Sequence, residues 1–295
     1  IRPEIIGLIL GAYVLSMIRG EHQSKGGSSP IIRFILGFFV MIGALMFLGC
    51  PIRMILRLGG GDLNALFGIA GFAGGIGFGT IFLKKGYSLQ RTYALSKLES
   101  AMMPAIQVGL LVLVVTVPAF ILFSQKGPGA MHAPWLISLA AGLVVGGLSQ
   151  FSRLCTVGGF RDLFLFKKSI LIFGYLAVLI GVFVVNISFG NFHLGFENQP
   201  IAHTDGLWNF LGMALAGFCS VLLGGCPLRQ LIMTGEGNSD SAVTVLGLAA
   251  GAAFAHNFGL AASGAGPTLN GEIAVGVGFV VAFIIAVLNT KRSNA

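Results

Sequence analysis

Gly49-Cys50-Pro51-Ile52-Arg53 begins a stretch, residues 49–61, that the chain repeats 176 residues later. The second copy, residues 225–237, begins Gly225-Cys226-Pro227-Leu228-Arg229, and six of the thirteen positions are identical in the two copies. A repeat at a fixed offset indicates an internal duplication. Each copy places one thiol and one guanidinium next to a proline that can begin a helix. We interpret the two copies as two halves of one binding site.

The composition excludes an ordinary soluble protein. Hydrophobic residues make up 55% of the 295 residues, charged residues make up 9%, and 45 residues are glycine. Apolar runs of nearly membrane-spanning length recur along the whole chain, which predicts an all-α membrane protein. Glycine at this frequency lets transmembrane helices approach each other closely.

We predict about nine transmembrane helices with three short helices between them. The nine apolar segments are 4–18, 31–48, 63–82, 103–123, 135–152, 169–189, 207–224, 241–258 and 271–288. The pieces 51–58, 156–166 and 227–234 are bounded by glycine and are too short to span a bilayer. Such pieces are tolerated at membrane depth where they line a cavity, so we interpret them as re-entrant half-helices.

The distribution of Lys and Arg predicts the orientation of the chain. Basic residues in loop 83–100 and at Lys291 and Arg292 place this loop and the C-terminus in the cytoplasm, whereas loop 190–206 has no Lys or Arg and belongs outside. The Cys50 piece then enters from the outer face, and the pieces that follow Cys155 and Cys226 enter from the cytoplasmic face. The prediction is therefore an inverted-topology repeat, a common plan in transporters.

We treat residues 1–295 as a single polytopic membrane domain with pseudo-repeat halves 1–124 and 125–295. Cys155 precedes Cys226 by 71 residues, and the equivalent position ahead of Cys50 falls before residue 1. We therefore expect the first half to be incomplete at its N-terminus in this sequence. The missing part should carry another cysteine.

The chemistry of the repeated motif predicts an anion site. The proline of each copy fits the first position of a helix, and this puts the preceding cysteine at the N-cap. Backbone N–H groups and the helix dipole attract anions there and favour the thiolate form of cysteine. The arginine lies one turn further on and adds permanent positive charge. The predicted substrate-binding residues of the two copies are Cys50, Pro51, Arg53, Cys226, Pro227 and Arg229.

A third cysteine, Cys155, has similar surroundings. Arg153 precedes it, two glycines follow it, and Arg161-Asp162 comes next. Charged residues within a membrane are costly, so they are candidates for function. We add Cys155 and Arg161 to the predicted substrate-binding residues, and Arg161 can pair either with Asp162 or with another re-entrant piece. Cys219 has no adjoining Pro or Arg, and we interpret it as a core residue.

We predict that the protein is not an enzyme. No cysteine pair has zinc-finger spacing, no nucleotide-binding loop is present, and no paired carboxylates suggest hydrolysis. The net charge of +8 comes from basic residues spread over short loops rather than clustered on one face, so we expect no nucleic-acid partner. We also expect no cofactor and no metal.

Three stretches resemble the YeeE/YedE family of bacterial inner-membrane sulfur transporters, namely FLGCPIRMILRLGGGDLNALFG, SRLCTVGGFRDLF and LLGGCPLRQLIMTGEG. Within that family the chain is most similar to the YedE branch, described as selenium transporters. Characterised members take up thiosulfate and pass it inward by hydrogen bonds to cysteines on opposing re-entrant elements. The resemblance implies this role for Cys50, Cys226 and Cys155. It also implies an inner-membrane location, with a cytoplasmic sulfur-carrier protein as a candidate partner.

Two functions of different classes remain open. The first is a transporter for a small chalcogen-containing anion, either a selenium compound or thiosulfate. The second is a membrane thiol–disulfide oxidoreductase that relays reducing equivalents between Cys50 and Cys226, which would have to reach disulfide distance. Arg and Pro beside each thiol serve anion binding better than electron transfer. A channel for neutral solutes would leave the cysteines unexplained.

Overall fold

The computed structural model describes residues 2–116, 133–168 and 170–290. Within these ranges the chain forms nine long helices and three short ones, at the places where the sequence predicts them. The helices are α1 (Pro3–Ile18), α2 (Pro30–Met46), α3 (Pro51–Gly59), α4 (Asn64–Lys84), α5 (Lys97–Thr116), α6 (Trp135–Ser152), α7 (Thr156–Phe166), α8 (Ile170–Ser188), α9 (Gly206–Leu223), α10 (Pro227–Gly235), α11 (Ser239–Asn257) and α12 (Leu269–Leu288).

Seven helical stretches within the described residues are long and apolar enough to cross a membrane. Three of the seven combine a long helix with the short helix that follows it, namely α2 with α3, α6 with α7, and α9 with α10. Helix α1 is apolar but has only 16 residues. The predicted all-α membrane protein is confirmed. The seven stretches are Pro30–Gly59, Asn64–Lys84, Lys97–Thr116, Trp135–Phe166, Ile170–Ser188, Gly206–Gly235 and Leu269–Leu288.

Helix α5 begins earlier than its apolar segment, 103–123, predicts. The backbone N–H of Glu99 donates to Ser96 Oγ at 3.3 Å, and Ser96 Oγ lies 3.2 Å from Glu99 Oε1. Ser96 thus caps the first turn, and such an N-cap starts a helix before its apolar residues begin. Residues 117–123 of the segment lie outside the described residues, as do the boundary between positions 124 and 125 and the residues Lys291 and Arg292.

The chain divides into two compact units. In unit 1, helix α1 packs against α5 and α6, and two short strands, β1 (Lys25–Gly26) and β2 (Tyr93–Ala94), pair in antiparallel fashion. Unit 1 consists of Ile1–Ser28, Arg91–Leu154 and Arg229–Val243, and unit 2 consists of Ser29–Gln90, Cys155–Leu228 and Thr244–Ala295.

Unit 2 contains the main hydrophobic core. Helix α9 packs against both α2 and α4, and its side chains Leu215 and Phe218 are almost fully buried beside Leu36 and Met46 of α2. Outward-facing apolar side chains such as Ile180 and Val184 of α8 remain exposed. Exposed apolar surface of this extent is expected on a protein whose outer face contacts lipid.

Two helix contacts in unit 2 are related by the 176-residue offset of the sequence repeat. A Cβ atom on Gly71 of α4 would overlap the carbonyl oxygen of Phe210 in α9. The equivalent positions are Gly247 of α11 and Phe34 of α2, and a Cβ on Gly247 would overlap the Phe34 carbonyl oxygen. One turn further along, the same relation joins Gly75 with Ala214 and Gly251 with Phe38.

These contacts are reciprocal, since each copy of the repeat touches the other at equivalent positions. Reciprocal contacts of this kind are characteristic of a two-fold relation. The short helices α3 and α10 are related by the same 176-residue offset, because they begin and end at equivalent residues. The packing of unit 2 is thus a structural counterpart of the sequence repeat.

We expect Gly71→Ala and Gly247→Ala to lower the thermal unfolding midpoint of the protein in detergent by similar amounts. A methyl group pressed against backbone costs about 1–3 kcal/mol, which outweighs the gain of about 1 kcal/mol from replacing glycine in a helix. Gly276→Ala in α12 is the matched control, because no atom lies within 4 Å of its Cβ position. If Gly247→Ala were as harmless as Gly276→Ala, the reciprocal contact would be wrong.

Candidate functional site

Cys50 lies immediately before α3, at the predicted N-cap. Its backbone is extended, with φ −75° and ψ 169°, and Pro51 is the first residue of the helix. The first N–H groups of a helix have no carbonyl partner within it. Here the N–H groups of Ile52 and Arg53 lie next to the Cys50 sulfur, although they form no cap hydrogen bond with it. The start of α3 therefore presents polar N–H groups and a thiol together.

Cys155 and Cys226 precede the other two short helices. Cys155 is the N-cap of α7, and its sulfur accepts a hydrogen bond from the backbone N–H of Gly158 at 3.3 Å. Cys226 precedes Pro227, the first residue of α10. Both side chains are buried, at 7% and 2% exposure. The sequence thus predicts correctly where these cysteines lie relative to their helices.

The three cysteines lie close together in unit 2. A hydrogen bond joins the thiols of Cys155 and Cys226, and Cys226 interacts electrostatically with Cys50. All four cysteines of the chain are free thiols. The fourth, Cys219, is fully buried within the core of α9, as its lack of polar neighbours predicts.

Tyr175 of α8 also belongs to this cluster. It interacts electrostatically with Cys226 and Cys50, and its hydroxyl lies 3.5 Å from the carbonyl oxygen of Pro51, to which it donates. The ring of Phe160 packs edge-on against Tyr175, with centroids 6.0 Å apart. Sequence reasoning missed Tyr175 because it lies in an unbroken apolar helix without a motif around it. We call Cys50, Cys155, Cys226 and Tyr175 the thiol site.

Two of the candidate arginines have carboxylate partners. Arg229 forms a bidentate ion pair with Glu236, at 3.1 and 3.0 Å, which joins the start of α10 to the turn that follows it. Arg161 pairs with the adjacent Asp162 at 2.8 Å. Much of the charge on these two guanidinium groups is therefore compensated locally.

Arg53 differs from the other two. Its Nε atom is buried and has no hydrogen-bond partner among the residues that the structure describes. Its guanidinium interacts electrostatically with Cys50. A buried N–H without an acceptor is costly, and an anion bound beside Cys50 would supply one. Of the three candidate arginines, Arg53 is thus the best placed to hold an anion at the thiol site.

A further buried ion pair, not predicted from the sequence, fixes the end of α3. Arg57 and Asp62 pair at 2.6 Å, with their side chains only 5% and 4% exposed. Arg57 also donates to the carbonyl oxygen of Phe47 at 2.5 Å, and Asp62 accepts from the backbone N–H of Asn64 at 2.9 Å. These bonds close the turn between α3 and α4, so we assign the pair a structural role.

His203 closes the end of α2 from the loop before α9. Its Nε2 lies 2.8 Å from the Met46 carbonyl oxygen, and its own carbonyl accepts from Asn209 Nδ2 at 3.0 Å. The side chain is only 2% exposed. The sequence gives no sign of this arrangement, since His203 stands in a polar loop and its partner lies 157 positions away.

Together the fold and the thiol site define a polytopic helical membrane protein with a buried cluster of cysteines. Residues 151–290 match the family model described as Sulphur transport. No curated protein matches the chain. The matched range includes Cys155 and Cys226 but not Cys50. The family match and the membrane-spanning helices support a sulfur-related transporter rather than an enzyme, and hence a small anionic substrate.

We expect the thermal unfolding midpoint in detergent to fall as the pH is lowered from about 7 to about 5. Burial lowers the pKa of His203, as does the charge of Arg57, and the hydrogen bond to Met46 and the nearby carboxylates Asp205 and Asp62 oppose them. The unfolded chain therefore binds the proton at a higher pH, and the stability is lost below the ordinary histidine pKa of about 6.5.

His203→Gln should make this fall in unfolding midpoint smaller. His193→Gln, at an exposed position of the same loop, is the matched control and should leave the pH dependence unchanged. An identical pH dependence in the wild type and in His203→Gln would show that His203 is not the titrating group.

Proposed function

We propose that this protein transports a small chalcogen-containing anion, either a selenium compound or thiosulfate, across a membrane. The observation that supports this most is the meeting of three thiols, each from the start of a different short helix. Cys155 and Cys226 are joined by a hydrogen bond, and Cys50 lies within electrostatic reach of Cys226. Packing alone does not require thiols at all three of these positions.

In this proposal the anion is held without covalent chemistry. Backbone N–H groups and the helix dipole at the start of α3 favour negative charge, and Arg53 adds a full positive charge beside Cys50. The thiols are weak donors with polarisable sulfur atoms, which suits an anion whose own sulfur or selenium is polarisable. The hydroxyl of Tyr175 can turn from Pro51 to the anion and offer a stronger donor.

The order of the steps follows from the predicted orientation. The Cys50 piece enters from the outer face and receives the anion, and Cys226 and Cys155, on pieces that enter from the cytoplasmic face, pass it inward. Pro51 and Pro227 keep the helix starts in place, and Arg229 and Arg161 add to the positive potential along the route. The reciprocal contacts in unit 2 and the basic loop 83–100 support this inverted plan.

We place the protein in a bacterial inner membrane with its C-terminus in the cytoplasm. The basic residues that follow α4 support this orientation. A cytoplasmic sulfur-carrier protein is a candidate partner, since an anion released at that face needs an acceptor. The matched family model, described as Sulphur transport, supports sulfur over other substrate classes.

We expect Cys50→Ala and Cys226→Ala each to lower uptake of radiolabelled thiosulfate or selenite into proteoliposomes by at least tenfold. Each variant removes one contact to the anion on a route that has no parallel branch. A hydrogen bond to a charged group is worth about 1.5–3 kcal/mol, and 1.4 kcal/mol corresponds to a factor of ten. The protein should still insert and unfold at nearly the same temperature.

Cys219→Ala is the matched control, because Cys219 is a buried free thiol in the core of α9. It should leave uptake unchanged. Unimpaired uptake by both Cys50→Ala and Cys226→Ala would refute the proposal. Uptake into liposomes that contain no redox partner also separates transport from the alternative, a thiol–disulfide oxidoreductase, which would need such a partner.

A further inference from the structure

A second cationic cavity lies in unit 2, away from the four residues of the thiol site. It has a volume of about 190 Å³, equivalent to roughly six waters at about 30 Å³ each. Arg33 from the start of α2 and Arg161 from α7 line it, together with Tyr87, Gln90 and Gly224. The cavity is therefore large enough for a small oxyanion, and two guanidinium groups line it, although Arg161 also pairs with Asp162.

Tyr87 provides an independent sign that this cavity binds a ligand. The residue is 8% exposed, and its hydroxyl is buried without a hydrogen-bond partner among the described residues. Burial raises the pKa of Tyr87, against the opposing effect of Arg33, so the hydroxyl stays protonated and can donate. A buried hydroxyl without a partner is costly. Tyr87 lines the cavity but also packs in the core near Cys219, so its side chain would have to turn toward the cavity for an anion there to accept its hydrogen bond.

The wall that carries Tyr87 is held rigidly by backbone contacts. The Tyr87 N–H donates to the Phe82 carbonyl at 3.0 Å, and the Ser88 N–H donates to the Asn289 carbonyl at 3.2 Å. The hydroxyl of Ser29 donates to the Leu89 carbonyl at 3.0 Å. A main chain held in this way loses little entropy when an anion binds beside it.

The sequence repeat has a second position equivalent to this cavity, and there the polar groups bond to one another. Arg33 corresponds to Asn209, and residues 221–224 correspond to residues 45–48. At that end Asn209 donates to the His203 carbonyl, the His203 ring bonds to Met46, and the Ala262 N–H donates to the Leu45 carbonyl. At one end of the duplicated fold these groups bond to one another beside the Arg57–Asp62 pair, whereas the cavity at the other end is open and lined by Arg33 and Arg161.

We propose that Arg33, Tyr87 and Arg161 form a second binding site, specific for a small oxyanion such as thiosulfate. We call it the arginine site. It lies at the end of α4 that leads into the basic loop 83–100, and Gly224 in its wall is two residues before Cys226. In this proposal the anion is released into the cytoplasm from the arginine site. That role rests on the proposed function, whereas the binding of an anion at the arginine site does not.

The test is equilibrium dialysis of the purified full chain in detergent against ³⁵S-thiosulfate. The Cys50→Ala/Cys226→Ala double variant disables the thiol site, and we expect it to retain one equivalent of bound thiosulfate. Adding Tyr87→Phe to this variant should weaken that binding at least tenfold, and adding Arg161→Gln should weaken it further. Adding Lys85→Gln, which removes an exposed charge two residues from Tyr87, should change it less than twofold because salt screens exposed charges.

Tyr87→Phe also separates binding from folding. It removes a hydroxyl that has no hydrogen-bond partner, so the unfolding midpoint should stay constant or rise while affinity falls. A purely structural tyrosine would lower the unfolding midpoint and leave affinity unchanged, and this would overturn the proposal. Absence of binding in the double variant, or binding unaffected by both Tyr87→Phe and Arg161→Gln, would overturn it as well.

The two proposals fail in different ways. If the double variant took up thiosulfate as well as the wild type, the thiol route would be wrong, and the dialysis result would still decide the arginine site. If the double variant lost uptake but also lost all binding, the thiol route would stand and the arginine site would be refuted.

Discussion

Backbone N–H groups at the start of a helix have no acceptor within that helix, and in an apolar medium each unpaired group costs several kcal/mol. Helices α3, α7 and α10 all begin within apolar stretches long enough to cross a membrane. The three cysteines stand at these starts. At α7 the Cys155 sulfur accepts one of the free N–H groups, whereas at α3 no side-chain cap forms. The start of α3, next to Arg53, therefore has N–H groups that lack an acceptor and favour a negatively charged ligand. The proposed transport depends on these groups.

The duplication explains why the cysteine at a helix start occurs twice, and the differences between the two copies bear on the direction of the proposed transport. The reciprocal contacts of α4 with α9 and of α11 with α2 follow the same offset, so the two copies begin from equivalent geometry. The charged groups have not stayed equivalent. Arg33 stands where the other copy has Asn209, and Asn209 donates to the carbonyl of His203, whose ring bonds to Met46. In the proposed transport, this difference would let the two ends of the route bind an anion differently.

Short sequence patterns predict many of the helices of this protein. They do not predict side-chain contacts that depend on tertiary packing. Helices α3 and α10 could be predicted because Pro and Gly mark their ends, and the sequence predicts the short helix after Cys155 at residues 156–166, where the structure has it. Tyr175 and His203 could not, because their partners are far away in the chain and neither residue stands in a motif. The ion pair of Arg229 with Glu236 was missed for another reason. The motif predicts the cation Arg229, but only the tertiary structure shows that Glu236 is the carboxylate that pairs with it.

The central claim is that Cys50, Cys155 and Cys226 line one route for one anion. Protection from alkylation tests it most directly: the protein in native membranes is treated with a small membrane-permeant maleimide at increasing thiosulfate concentrations, and modification of each cysteine is followed by mass spectrometry. We predict that thiosulfate slows modification of these three cysteines over the same concentration range, and that the slow reaction of the buried Cys219 is unaffected. Unchanged modification of all three, or protection that includes Cys219 equally, would contradict the account.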